Sequence, residues 1–386
     1  MEGIVRAKTR SGLILALSIF LTFAVLLLSA CDNDDAATAQ EPRVVTLGIV
    51  QSLTGAGGVY GKTVVEGIEL AIKQLNAAQH DTGVRFEYTV ADDQSTAAAS
   101  TAAFADLVAR DVDALIGPTL SNVAPEDHRL AQRAGIPVIG VTTTAAGITD
   151  TGDYVFRLAL PEAVVVPAAI ARVAQQAPIK QAVLIVDGND AFSLSSAVAM
   201  RAGLAAEGGS MLAEIDVSKT DIAAELGRLQ GQSFDAFLVT PLVDTAAAAL
   251  KAIRSAGFQQ VIIGGNSFNT LDIARLAGPA AEGAYVGAAW NPGVSSATSR
   301  AFVQAYIEAY GRAPDQFAAQ GYTTVYVLAD AIRRAGPDNR AAIRDALAVT
   351  RDLDTPLGVL SISGKREAVH TSVVQQYRNG QLAVIE

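Results

Sequence analysis

Between residues 44 and 290, short apolar runs alternate with longer amphipathic stretches, and glycine, proline or asparagine often separates them. A short apolar run bounded by such breakers predicts a strand buried on both faces, and apolar positions three and four apart predict a helix with one buried face. Strands are therefore expected at 44–50, 84–90, 114–117, 136–139 and 154–158, and again at 182–186, 211–217, 236–239, 261–263 and 284–288. Helices are expected between them at 63–77, at 96–110, from a cap at Ser121 or Asn122 through Arg133, and at 162–176, 193–207, 222–229 and 245–256. In the first of these, Ile68, Ala71, Ile72 and Leu75 share a face. Alternation at about 30 residues per strand–helix unit predicts an α/β protein with two doubly wound parallel sheets. Beyond 290 the pattern predicts helices at 300–310, 320–334 and 340–348, then strand-like pieces near 358–362 and 373–377 with an Asn379-Gly380 turn.

The stretch 114–144, ALIGPTLSNVAPEDHRLAQRAGIPVIGVTTT, places hydroxyls after two of these strands. One loop holds Thr119, Ser121 and Asn122, the other Thr142, Thr143 and Thr144. Loops at the carboxyl ends of parallel strands face a common crevice, where ligands bind. A lone Ser or Thr there reads first as a cap or turn residue. Two clusters at corresponding positions, one beside a helix N-terminus, read as a seat for an anion such as a carboxylate.

Charge and composition narrow the classes. The chain has 386 residues, 33 glycines and a formal net charge of −10, with no Lys/Arg run beyond its N-terminus. That excludes a nucleic-acid partner, which needs clustered basic charge. One Cys permits no intramolecular disulfide, and His80, His128 and His370 offer no metal-ligand spacing and read as surface residues. Arg6, Lys8 and Arg10 precede an apolar stretch at 13–30, a secretory signal pattern. Leu28-Ser29-Ala30-Cys31 resembles a bacterial lipobox, which implies lipidation of Cys31 and a tether over 32–43. A transmembrane anchor is the alternative, since 18 apolar residues just suffice to span. Asp32 resembles an inner-membrane retention signal. Either way the folded part lies outside the cytoplasm, held to a membrane.

Two motifs invite chemistry and fail it. QSLTGAGGVYGK at 51–62 looks like a phosphate loop, but the opening glycine would fall on Ala56, and a dinucleotide fingerprint would need a small residue where Tyr60 stands. A flexible loop placing the Tyr60 ring over the crevice fits better. Asp92 and Asp93 are neighbours on an extended segment and point opposite ways, a poor acid/base pair, so capping of the next helix is expected. No Gly-x-Ser-x-Gly elbow is present.

The ordered set SLTGAGGVYGKTVVEGIELAI, ADDQSTAAAS, LIGPTLSNVA, AGIPVIGVTTTA, DGNDAF, AIRSAG and AYGRAPDQFAAQGYTTVYVLADAI is similar to type I periplasmic solute-binding proteins of the branched-chain amino acid transport family. The resemblance covers nearly all of the mature chain. It implies two α/β lobes, 44–158 plus 291–350 and 159–290 plus 351–386, joined by three crossover strands and closing on a ligand. It implies that Ser121, Thr142 and Thr144 hold a ligand carboxylate, with Asn122 and Thr143 beside them, that Tyr60 lines the pocket from the first lobe, and that Phe192 and Leu242 line it from the second. Asn266 falls where amino-acid binders place a Glu that pairs with the ligand ammonium. Either Asp187, Asp190 or Asp244 substitutes, or the ligand lacks the amine: a keto acid, an aromatic or aliphatic carboxylate, or an amide. The implied function is solute delivery to an ABC permease by a lipid-anchored monomer, without cofactor, metal or catalysis. A sensor signalling to a partner is the alternative of a different class, and an envelope enzyme on this fold is a third.

Overall fold

The computed structural model describes residues 42–385 except 79–82, 295 and 338. The segment expected to be a secretory signal, Cys31, the expected tether up to residue 41 and His80 lie outside the described residues.

The inner strands of the first sheet are buried on both faces, as the short runs predict, while its edge strand at Val84–Asp92 turns Arg85, Glu87 and Thr89 outward. It comprises β1 (Arg43–Gln51), α1 (Gly58–Ala77), β2 (Val84–Asp92), α2 (Ala97–Ala109), β3 (Ala114–Ile116), α3 (Ala124–Ala134), β4 (Val138–Gly140) and β5 (Val155–Arg157). All neighbours are parallel, in the order β2-β1-β3-β4-β5. The order reverses between β1 and β3, so the loops after these two strands flank a switch point, the place where open α/β sheets bind ligands.

The second sheet repeats the device. The chain crosses at 158–161 into α4 (Glu162–Ala174), β6 (Gln181–Val186), α5 (Ala191–Ala206), β7 (Ser210–Asp216), α6 (Ile222–Arg228), β8 (Ala236–Val239), α7 (Val243–Ser255), β9 (Val261–Gly264), α8 (Asp272–Ala277) and β10 (Tyr285–Ala288). Its switch point lies between β6 and β8. A second crossing returns the chain to α9 (Ala297–Tyr310), α10 (Gln316–Ala335) and α11 (Arg340–Ala348). There Tyr310 donates from its hydroxyl to the Glu66 carbonyl, and Tyr306 bonds the Glu66 carboxylate.

The last stretch departs from expectation. β11 (Leu353–Thr355), β12 (Gly358–Ile362) and β13 (Ala368–Val369) form a small antiparallel sheet. It joins the first half: Glu367 bridges to Arg157, and the Arg366 guanidinium donates to the carbonyls of Val155 and Thr149. Only after a third crossing do β14 (Val373–Arg378) and β15 (Gln381–Val384) pair, antiparallel, on the edge at β10. The second sheet is thus mixed, ordered β15-β14-β10-β9-β8-β6-β7, and the passage expected at 351 falls after Val369.

Four local expectations are corrected. α1 begins at Gly58, so 58–62 is helix and not flexible loop. α3 has Val123 at its cap with no side-chain bond, and Ser121 turns its oxygen instead to the Ala145 N–H at 3.4 Å. Thr96 caps α2, while Asp92 accepts the N–H groups of Leu53, Thr54 and Gln94, and Asp93 those of Ser95 and the Ser52 hydroxyl. An acid already holds these loop amides, which leaves no seat for a phosphate. His128 is fully buried, because α3 turns Ala124, Asp127, His128 and Ala131 inward at helical spacing. Its Nε2 lies 3.0 Å from the Gly117 carbonyl, and burial pushes the imidazole down to about 4.

Candidate functional site

A small cavity lies between the two halves. Tyr60, Thr119, Leu120, Ser121, Thr142, Phe192, Leu242, Asn266, Ser267 and Phe317 line it. Each comes from a loop after a strand's carboxyl end or from the first residues of a helix. Thr119, Leu120 and Ser121 follow β3, Thr142 follows β4, and Asn266 and Ser267 follow β9. Tyr60, Phe192, Leu242 and Phe317 sit at the starts of α1, α5, α7 and α10. The two switch points face each other across this space, and every lining side chain is neutral.

Tyr60 bridges the halves. Its hydroxyl accepts the Val243 N–H at 3.0 Å and donates to the Ser267 carbonyl at 3.3 Å, while its ring packs edge-on to Phe317 at 4.9 Å between centroids. Burial raises the phenol far above its ordinary pKa, so it is a neutral donor at any physiological pH. Phe192 and Leu242 supply an apolar wall from the second half.

The hydroxyls differ in what they have left to give. Thr119 accepts the Ser52 N–H at 2.8 Å and donates to Gln51 Oε1 at 2.7 Å, and Thr142 donates to the Thr119 carbonyl at 2.6 Å. Among the described residues Ser121 only accepts, so its proton remains available. Asn122 is exposed and does not line the cavity. Thr143 is fully buried against Gly140, and Thr144 borders a second, mostly apolar groove with Ser121, Pro161 and Ser195. Of the nine expected site residues the structure brings Tyr60, Ser121, Thr142, Phe192, Leu242 and Asn266 together, and leaves Asn122, Thr143 and Thr144 out.

None of the proposed replacement acids reaches the cavity wall. Asp190 caps α5 through the Ser193 N–H at 2.7 Å, Asp187 accepts the Asn189 N–H at 3.0 Å, and Asp244 lies in the first turn of α7 outside the lining. The carboxyl nearest Asn266 is one that the sequence did not single out. Glu162, on the first turn of α4, is 1% exposed, and its Oε2 faces the Asn266 N–H at 3.4 Å. Burial raises it to about 7; the neighbouring Ser196 and Thr144 hydroxyls, that N–H and the Arg157 charge pull it only part of the way back. Arg157 itself pairs with Glu367. A larger polar cleft holds Glu66, Asp272, Arg275 and Arg312, but there Arg312 pairs with Glu66 at 2.5 Å and Arg275 with Asp272 at 2.6 Å. Among the described residues no group of His, Cys, Asp or Glu is placed to hold a metal, and no helix is long and apolar enough to cross a membrane.

Two α/β halves, crossed three times by the chain and enclosing a neutral cavity between their strand ends, define a carrier of small solutes. The chain belongs to the periplasmic binding protein family, whose model matches residues 44–381. It is 23% identical over 334 residues to Leu/Ile/Val-binding protein homolog 3 of Brucella melitensis, covering 83% of this chain and 87% of that one. It resembles the branched-chain amino acid transporter substrate-binding protein LivJ from Streptococcus pneumoniae, solved with isoleucine, at a TM-score of 0.82 and 26% identity over 89% of this chain and 99% of that one. It also resembles an ABC transporter solute-binding protein from R. palustris, solved with benzoate, at a TM-score of 0.79 and 22% identity over 89% and 95%. It is a substrate-binding protein and not an enzyme, and its family places it outside the cytoplasm.

Proposed function

We propose that this protein is the capture subunit of an ABC importer, anchored through a lipidated Cys31, and that its two lobes close on one small carboxylate-bearing solute. The observation that carries the reading is the Tyr60 bridge, which ties α1 to the other half directly over a small neutral cavity lined from both sides. In this reading the lobes are 44–158 with about 291–369, and 159–290 with 373–385. The Ser121 hydroxyl donates to the carboxylate, with Thr142 turning from its carbonyl partner to add a second bond. Phe192, Leu242 and Phe317 hold the apolar remainder, and Asn266 closes the polar end. Thr143 and Thr144 support the loop without touching ligand. Among structural relatives the fold holds isoleucine in one protein and benzoate in another, so an amine is not a requirement of the architecture. The ligand proposed here is a branched-chain amino acid or a related amine-free acid or amide, and the protein works as a monomer because closing lobes need free surface.

The test is calorimetry with a panel of branched-chain and aromatic amino acids, their keto acids and short amides. Stoichiometric binding with a fall in radius of gyration supports capture by closure. Turnover of any ligand, or binding without compaction, would sink it. A ligand at about 100 times its dissociation constant also stabilises by roughly 2.7 kcal/mol, visible in a thermal shift.

A further inference from the structure

The polar end of the cavity is fixed by a chain of amides whose orientations can be read outward from the backbone. The Asn269 amide nitrogen reaches two carbonyl oxygens, those of Gly287 at 3.0 Å and Asn266 at 3.2 Å. Carbonyls only accept, so that atom is Nδ2 and cannot be flipped. Its Oδ1 accepts from Gln375 Nε2, and Gln375 Oε1 accepts from Asn291 Nδ2, which also donates to the Leu382 carbonyl at 3.1 Å. On the other side the Ala289 N–H donates to Gln316 at 2.9 Å, which fixes that oxygen as Oε1 and turns Nε2 towards Asn266. Asn266 therefore meets two donors, Gln316 Nε2 at 2.8 Å and Asn269 Nδ2 at 2.9 Å, and must present its oxygen to both. What remains is Nδ2, which makes no hydrogen bond among the described residues, on a residue that lines the cavity.

We infer that Asn266 is a specificity-determining donor, and that the protein selects carboxylates carrying a further acceptor oxygen, as 2-oxo acids do, over 2-amino acids. This rests on the reading that the cavity holds a small carboxylate. An ammonium is itself all donor, and against Asn266 Nδ2 it would find neither charge nor lone pair. The Asn266 oxygen cannot turn to meet it without taking from Gln316 Nε2 its acceptor and setting the Asn266 amide nitrogen against two buried amide donors. Glu162 stands behind Asn266, outside the cavity lining, engaged with the Asn266 N–H. An acceptor oxygen, in contrast, completes the donor that Asn266 leaves open at the cavity. Sites built to hydrogen-bond a ligand group reject the analogue lacking it strongly, because their own polar atoms stay unpaired.

The test uses matched triads on the full chain: pyruvate, alanine and propanoate; 4-methyl-2-oxopentanoate, leucine and 4-methylpentanoate; and the phenyl series. The oxo acid of the best-fitting skeleton should bind at least about tenfold more tightly than its amino and unsubstituted partners. Asn266→Asp keeps two acceptor oxygens for Gln316 and Asn269 and turns the free donor into an anionic acceptor. It should lose oxo-acid affinity by roughly 10- to 100-fold and gain amino-acid affinity. Leucine as tight as its oxo acid in the native chain, or the plain acid as tight, overturns the inference while leaving the carrier reading intact. Failure of every carboxylate on every skeleton overturns the carrier's ligand class, and the inference with it.

Discussion

Glu162 shows how a residue acquires properties that its own neighbourhood in the chain does not announce. It follows Pro161 at the start of a helix, where an acid reads as an ordinary first-turn complement to the helix dipole. Its burial is imposed from residues far along the chain: Gly265 lacks a side chain there, and a Cβ would lie 3.3 Å from Oε2 and 2.6 Å from Ser196 Oγ. The consequence is measurable. With the folded carboxyl at about 7 against an ordinary value near 4.5, the native state keeps a proton that the unfolded chain has released. Stability therefore falls as pH rises through that window and levels off above it. Glu162→Gln cannot ionise and escapes this loss, so its stability relative to the native chain should improve from pH 5 to 8, by an amount on the order of 3 kcal/mol. Parallel melting curves across that range would show that Glu162 titrates normally. Asn266 was legible as a departure from the family's acid, but not as a donor, since its orientation is decided by Gly287, Ala289 and Gln316.

At the scale of elements, the sequence misplaced boundaries wherever glycine served packing instead of turning. Gly57, Gly58 and Gly61 suggested a loop, yet α1 runs through the last two. At Gly61 a Cβ would lie 2.0 Å from the Ser52 carbonyl oxygen, so glycine lets the helix start against the end of β1. The same holds where α1 crosses α10. Gly67 faces the Ala318 carbonyl, with 2.0 Å to a hypothetical Cβ, and Gly321 faces that of Val64, with 2.3 Å. In an isolated helix Gly67→Ala would help by about 1 kcal/mol. Here backbone meets backbone and cannot yield by rotamer change, so overpacking wins and the substitution should destabilise by about 1–3 kcal/mol. Urea unfolding checks this; a raised midpoint would mean that the crossing can spread at little cost. Periodicity located α1 and its buried face correctly because Ile68, Ala71 and Ile72 carry that signal unaided.

For the whole molecule, strand–helix alternation was enough to read two sheets and their switch points, because each local unit reports its own pairing. The tail was not readable in this way. β13 is two residues long, and its attachment depends on Glu367 meeting Arg157 across 210 positions. Closure is a property of the same scale. The halves are joined by Tyr60 to Val243 and Ser267, by Gln316 to Asn266, by the Ala146 N–H to Ser195 Oγ at 2.9 Å, and by the Glu162 N–H to the Thr144 carbonyl at 3.2 Å. Among the described residues only the Tyr60 hydroxyl spends two bonds on the joint while also roofing the cavity. Tyr60→Phe deletes both bonds and keeps the ring against Phe317, so the first half should fold unchanged. The loss falls on the closed state, at about 1–2 kcal/mol, which lowers ligand affinity roughly 5- to 30-fold. Scattering distinguishes this from a damaged pocket. The variant should be more expanded than the native chain at low ligand and reach the same radius of gyration at saturation. A variant that stays expanded when saturated would mean the hydroxyl positions the ligand, and unchanged affinity with unchanged radius would mean closure is held by the other contacts.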